Sequence, residues 1–217
     1  MDALILTVIL TSIPLILAAT GELIAERSGV LNLGVEGMML MGAVAAFAIT
    51  SLSGNPYFGI IAAAAAGAMT AAIFAVFTLV LATNQVATGL ALTIFGTGLS
   101  GLVGAPFVGA TVDGLQAVSI PVLSDLPVLG GLLFQLDLLA YGAFLMLALV
   151  AWFLNKSRAG LILRAVGNNH DSAHALGYSV LRVRCAAVIF GGLMAGLAGA
   201  YLPLVLTPHW SEGMTAG

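Results

Sequence analysis

The sequence predicts an all-α polytopic membrane protein with about six transmembrane helices, and three observations support this fold class. Of the 217 residues, 61% are hydrophobic and only 7% are charged, and the mean hydropathy is +1.15. Several apolar runs reach the roughly 20 residues that a helix needs to cross the core of a bilayer. Five of the six Lys and Arg residues fall within one polar stretch, residues 156–184. This composition excludes an ordinary soluble domain, and so few basic residues predict no nucleic-acid-binding face.

The first three spans are predicted at residues 3–24, 31–52 and 58–82. Pro14 lies inside the first span, where a membrane helix tolerates it if neighbours satisfy the freed carbonyl. Residues 53–56 predict a turn, and the aromatic Tyr57 and Phe58 that follow are typical of a membrane interface. The third span is rich in Ala, which allows helices to approach closely in lipid.

The last three spans are predicted at residues 86–104, 138–154 and 185–206. The fourth span contains five glycines, which predicts a weak or broken helix. A long loop with only acidic charges, residues 105–137, follows it. The sixth span contains four glycines, and we interpret them as a seam of small residues for helix packing.

The basic stretch 156–184 predicts the orientation of the whole chain. Short loops rich in Lys and Arg remain on the cytoplasmic side of a membrane. Counting spans back from this loop places Arg27 on the same side and the N-terminus outside. All six basic residues then lie in the cytoplasm. With one extra or one missing span, Arg27 and the basic stretch would lie on opposite sides of the membrane.

A short helix is predicted within this loop, from Asn169 to Leu176. Asn168 and Asn169 are good N-caps, Asp171 suits the first turn, and Gly177 suits the left-handed position after the helix. Two turns are too short to be stable alone, so the helix requires a surface to dock on. The alternative is a solvated loop whose charges only determine topology.

Polar side chains within the spans indicate a solute pathway, because such groups are costly in lipid. Glu36 lies about one turn into the second span, and a break near Asn32–Gly37 would expose backbone groups that must be buried or line a cavity. Transporters use such broken helices along the substrate path. The alternatives are that Glu36 only braces the break and that the polar pair at the fourth span is a helix cap. The predicted pathway residues are Asn32, Gly34, Glu36, Gly37, Asn84 and Gln85.

The remaining polar residues predict neither catalysis nor a metal site. The single Cys185 excludes an intrachain disulfide. His170 and His174 are four residues apart but lack a third ligand nearby. The phosphate-binding pattern GxxxxGK[ST] does not occur. Glu22 and Glu26, at the end of the first span, are interpreted as interfacial residues.

Three stretches resemble one family of membrane proteins. Residues 26–39, ERSGVLNLGVEGMM, are similar to the signature of bacterial ABC importer permeases for nucleosides and simple sugars, to which branched-chain amino acid permeases are more distantly related. Residues 120–130 look like the external loop of that family. Residues 160–169 and 175–177 look like its cytoplasmic coupling loop.

The resemblance implies a single transmembrane permease domain, residues 1–217, in the bacterial inner membrane. Its expected partners are a second permease subunit, identical or paralogous, a cytoplasmic ATPase dimer that binds ATP and Mg²⁺, and an extracytoplasmic binding protein or lipoprotein. It implies no enzyme activity and no cofactor in this chain. The residues expected to couple to the ATPase are Arg164, Gly167, Asn168, Asn169, Ala173, Leu176 and Gly177.

Family members extend beyond the position of Gly217, so we expect a C-terminally incomplete permease. Two other hypotheses remain open at this point. The chain could be a secondary transporter or channel that works without an ATPase, although the capped basic loop then has no explanation. It could also be a truncated scaffold that does not transport.

Overall fold

The computed structural model describes residues 2–118 and 135–215, with side chains from Leu4 onward. The stretch 120–130, which resembles an external loop, lies outside the described residues. The helices are α1 (Asp2–Arg27), α2 (Val35–Ser53), α3 (Pro56–Ala75), α4 (Gln85–Gly104), α5 (Leu138–Lys156), α6 (Arg158–Asn168), α7 (His170–Ala175) and α8 (Val180–Tyr201). Short π-helical turns, Val76–Val80 and Leu202–Leu206, extend α3 and α8, and a 3-10 turn, Ala105–Phe107, extends α4.

Six helical segments among the described residues are long and apolar enough to cross a membrane, which confirms the predicted number of spans. They are Leu4–Arg27, Val35–Ser53, Pro56–Val80, Gln85–Phe107, Leu138–Lys156 and Val180–Leu206. The predicted break within the second span is not present, because α2 is continuous from Val35 to Ser53 and includes Glu36 and Gly37 in its first turn. The non-helical residues are 28–34, which connect α1 to α2; we call this connecting segment the break.

Side-chain caps define the start of five of the described helices; Asn169, the fifth capping residue, is described with the basic loop below. An Asn or Asp carbonyl oxygen or a Ser hydroxyl accepts a hydrogen bond from a backbone N–H group that the first turn leaves without a helical partner. The other four capping residues are Asn55, Asn84, Asp137 and Ser157. The capping interpretation of Asn84 is therefore correct.

The helix α8 lies at the centre of the bundle and packs on α1, α2 and α3. Its glycines allow this arrangement, because a Cβ at Gly196 would collide with the carbonyl oxygen of Ala63 in α3. A Cβ at Gly42 of α2 would collide in turn with the backbone of Gly196. Such close approach is how small residues associate helices in lipid, so the predicted packing seam is confirmed.

The fourth span is one continuous helix, so the prediction of a weak or broken helix was wrong. Two of its five glycines lie where another backbone approaches. Gly89 is packed against Leu33, and Gly96 is packed against Gly37 at the start of α2. The glycines weaken the helix intrinsically, but packing of α2 and of the break against them offsets this cost.

Candidate functional site

The non-helical segment 28–34 runs alongside the first half of α4. The backbone N–H of Leu31 donates a 2.9 Å hydrogen bond to Oε1 of Gln85, the first residue of α4. Two residues later, the hydroxyl of Thr93 donates a 3.1 Å hydrogen bond to the carbonyl oxygen of Leu33. The helix α2 therefore begins level with the middle of α4, so Glu36, the second residue of α2, lies at the level of the middle of the α4 span.

Asn32 is the central brace of this break. Its side chain is 3% exposed, and Oδ1 accepts a 2.9 Å hydrogen bond from the backbone N–H of Gly34. Its Nδ2 donates to the sulfur of Met38 at 3.5 Å, and its backbone N–H donates to Oε1 of Glu22 at 3.1 Å. The buried polar groups of a non-helical segment must find such partners, so the geometry of Asn32 is that of a structural residue.

Glu22 takes part in the same network, which the interfacial interpretation missed. While Oε1 accepts from Asn32, Oε2 is buried and has no hydrogen-bond partner among the described residues. Sequence held one clue to this role, since Glu22 lies inside a predicted span that ends two residues later.

The end of the described chain returns along α4 to the level of Glu36. Trp210 lies against Gly104 at the far end of α4, and the carboxylate of Glu212 lies beside Gly101, one turn earlier. The hydroxyl of Thr215 then donates a 3.1 Å hydrogen bond to Oε1 of Glu36. Residues 210–215 thus run back from one end of the α4 span to its middle.

A polar surface results where this returning segment, α2 and α4 meet. Thr93, Thr97 and Gly101 are spaced four residues apart, so they share one face of α4. That face contacts the Leu33 carbonyl at one end and Glu212 at the other. We call this surface the mid-span site. It comprises Glu36, Thr93, Thr97, Glu212 and Thr215.

The other predicted pathway residues surround the mid-span site as scaffold. Gly34 and Gly37 allow α2 to approach α4, because a Cβ on either would come within 3 Å of an atom of Leu92. Asn84 caps α4, and Gln85 holds Leu31. Of the six predicted pathway residues, Glu36 is the one that forms part of the mid-span site, where it is half-exposed. The site residues Thr93, Thr97, Glu212 and Thr215 were not predicted.

The basic loop forms two helices where one was predicted. The predicted helix is present as α7, with Oδ1 of Asn169 accepting a 3.0 Å hydrogen bond from the N–H of Ser172 and Gly177 at φ +86°. The additional helix α6 precedes it and ends at Asn168, so the prediction of Asn168 as an N-cap was wrong. A spacing of three residues between buried positions could have revealed α6. These positions are Gly160, Leu163 and Val166.

The C-terminal end of α6 packs directly on the start of the break. A Cβ at Gly167 would collide with the carbonyl oxygen of Arg27 and lie 3.2 Å from the backbone nitrogen of Gly29. From α8, Nε of Arg184 donates a 3.1 Å hydrogen bond to the carbonyl oxygen of Ser28. The basic loop and the segment that leads to Glu36 are therefore in contact.

The remaining coupling residues differ in accessibility. Ala173 is 3% exposed and Leu176 is 77% exposed, so the two do not form one exposed face, although residues three apart on a helix lie on the same side. Ala173 packs inside the chain because α7 lies on its neighbouring helices, whereas Leu176 faces outward. Arg164 is half-buried, and its Nε has no hydrogen-bond partner in the part of the chain that the structure describes.

Six spans, a non-helical segment that runs beside α4 and a carboxylate level with the middle of α4 indicate a polytopic α-helical membrane protein of the transporter type. Comparison with protein families is more specific. The chain belongs to the family described as "Branched-chain amino acid transport system / permease component", whose model matches residues 4–217. The resemblance seen in the sequence is thereby confirmed.

Curated relatives are permeases for sugars and nucleosides. The chain is 42% identical over 207 residues to the "Putative glucose ABC transporter permease protein TsgC13" of Haloferax volcanii, covering 94% of this chain and 63% of the relative. It is 31% identical to the guanosine ABC transporter permease protein NupQ of Bacillus subtilis, covering 94% and 68%. It is 29% identical to the nucleoside ABC transporter permease protein NupC of Lactococcus lactis, covering 100% and 72%. The chain thus spans about two thirds of the length of these relatives. No solved structure matches it.

Proposed function

We propose that this chain is the membrane-spanning permease subunit of an ATP-binding cassette importer and contributes to the path of a nucleoside or a simple-sugar-like solute. The observation that supports this most directly is the mid-span site, where Glu36 lies level with the middle of α4 and accepts a hydrogen bond from the hydroxyl of Thr215. Carboxylate and hydroxyl groups can accept and donate hydrogen bonds to the hydroxyls of a sugar or ribose. The names of the sugar and nucleoside relatives agree with this chemistry.

In this proposal the chain itself is not an enzyme. ATP and Mg²⁺ are bound by a cytoplasmic ATPase dimer, and the exposed Leu176 beside α7 is a contact to it. A second permease, identical or paralogous, completes the path, and an extracytoplasmic binding protein or lipoprotein delivers the solute. The contact of Gly167 with Arg27 supports coupling, because it joins the loop to the break that positions Glu36.

The proposed location is the cytoplasmic membrane, with the N-terminus outside and residues 156–184 in the cytoplasm. The positive-inside rule supports this orientation. The relatives include archaeal and bacterial permeases, so the location is proposed for a prokaryotic cell membrane in general. Family membership favours this function over a secondary transporter or channel and over a scaffold without transport.

The test is uptake by cells that carry the complete transporter, with and without this chain. Labelled glucose, a pentose, a nucleoside and a branched-chain amino acid are compared. We expect uptake of the nucleoside or of a sugar to require both this chain and an ATPase with an intact ATP site. Uptake that survives inactivation of the ATPase would indicate a secondary transporter, and uptake of the amino acid alone would contradict the proposed solute class.

A further inference from the structure

An apolar groove of about 620 Å³ opens between α5, α6 and α8 at the end of the bundle that carries the basic loop. All fourteen residues that line it are apolar or aromatic. Among them are Ile24 from α1, Trp152 and Phe153 from α5, Ile162 from α6, and Ala186 and Phe190 from α8.

The groove exists because α5 packs on α1 and α6 and makes little direct contact with α8. At the end away from the loop the two helices are joined, because the hydroxyl of Tyr201 in α8 donates a 2.7 Å hydrogen bond to Asp137, the cap of α5. The helix α6 closes the loop end with Ile162 and the buried Leu163.

Three exposed cations surround the loop end of this groove. Lys156 lies four residues after Trp152, Arg158 lies four residues before Ile162, and Arg182 lies four residues before Ala186. Residues four apart share one face of a helix, so each cation is one turn away from a lining residue on the same face. Half of the basic residues of the chain are therefore placed at the mouth of one apolar groove.

We propose that this groove binds a phospholipid with an anionic headgroup. The acyl chains fill the apolar groove, and the phosphate lies among Lys156, Arg158 and Arg182. Basic pockets between transmembrane helices recognise anionic headgroups through such charges. The aromatic rings of Trp152 and Tyr178 line the same groove, and such amphipathic rings favour the headgroup region of a bilayer. The lipid would also hold α6 against the bundle, next to its contact with the break.

Trp152 provides a direct test, because it lines the groove and is 60% exposed, whereas the other tryptophan, Trp210, is 2% exposed. The whole chain is placed in vesicles of phosphatidylcholine containing either brominated phosphatidylglycerol or brominated phosphatidylcholine, and quenching of tryptophan fluorescence is measured. We expect the anionic lipid to quench more strongly at equal mole fraction. The variant Trp152→Phe should lose this difference.

Substitution of the cations then separates a specific site from ordinary contact with lipid. Removing Lys156, Arg158 and Arg182 by Gln substitutions, singly and together, should lower the preference for the anionic lipid by on the order of fivefold per residue. The matched control is Arg184→Gln, which removes the same charge from a residue that lines a different cavity. It should leave the preference unchanged.

Three results would overturn the proposal. The first is equal quenching of the wild-type chain by both lipids, and the second is an unchanged preference in the triple variant. The third is absence of quenching by either lipid, which would mean that protein covers the groove. Each substitution is at an exposed position, so the variants should fold. If the triple variant does not, the three single variants provide the same test.

Discussion

Thr215 donates a 3.1 Å hydrogen bond to the carboxylate of Glu36, although 179 residues separate the two in the chain. The bond joins the first turn of α2 to a segment that has returned along α4 from its far end. A carboxylate level with the middle of a membrane span is costly unless it is hydrogen-bonded or meets a polar solute. Among the described residues Glu36 has this one side-chain partner, and it remains half-exposed at the mid-span site.

We therefore expect Glu36→Gln to lower the rate of solute uptake about tenfold, in line with the strength of a charged hydrogen bond. The amide still accepts from Thr215, so insertion and assembly should be normal. Glu36→Ala should lower uptake further, and Thr215→Val, which removes only the donor, should have the smaller effect. Wild-type uptake by both Glu36 variants would remove this residue from the pathway.

The sequence was sufficient to predict the six spans, because they depend on local composition. Apolar runs of sufficient length indicate helices, whereas the cluster Asn32–Gly37 was placed inside the second span and in fact lies where α2 begins. The return of Thr215 to Glu36 could not be predicted, because it depends on how Trp210 fits against Gly104. The helix α6 was missed, although three of its residues, Gly160, Leu163 and Val166, are buried at a spacing of three. The glycines of α4 were misinterpreted because the segments that pack against them could not be known from the sequence.

Packing of the central helix gives a prediction about stability. A methyl group at Gly196 would collide with the carbonyl oxygen of Ala63, and overpacking of this kind costs about 1–3 kcal/mol. Gly196→Ala should therefore lower the midpoint of thermal unfolding in detergent. The control is Gly142→Ala in α5, where an added Cβ meets nothing within 4 Å. Equal midpoints for the two variants would show that α8 and α3 can move apart enough to accommodate the added methyl group.

Labelling of introduced cysteines tests the orientation. In a Cys185→Ser background, which removes the single native thiol, a cysteine at Ser124 should react with an impermeant thiol reagent added outside intact cells. A cysteine at Ser172, an exposed position in α7, should react only after the cells are opened. The reverse pattern would invert the chain in the membrane and contradict assignment of the basic loop to the cytoplasm.

The exposure of Leu176 allows ATPase binding to be tested separately from the stability of the permease. Because this side chain is 77% exposed, Leu176→Asp should leave the stability of the permease unchanged. If the ATPase buries it, the variant loses about 1.5–3 kcal/mol of binding free energy, and the ATPase should no longer co-purify. Ser179→Asp adds the same charge at an exposed position outside α7 and should matter less. If the ATPase still co-purifies with Leu176→Asp and hydrolyses ATP at the wild-type rate, the loop does not dock the ATPase through Leu176. Its charges would then only determine the topology of the chain.

Coupling between the loop and the mid-span site is tested at Gly167. An added methyl group would collide with the carbonyl oxygen of Arg27, so Gly167→Ala should push α6 away from the residues that begin the break. Leu176 is untouched, and the ATPase should still co-purify. We therefore expect ATP hydrolysis that solute no longer stimulates, together with a loss of uptake. Ala165→Ser adds one atom at an exposed position of the same helix and should retain both activities. Solute-stimulated hydrolysis and uptake at wild-type levels in Gly167→Ala would mean that this contact only holds the loop in place.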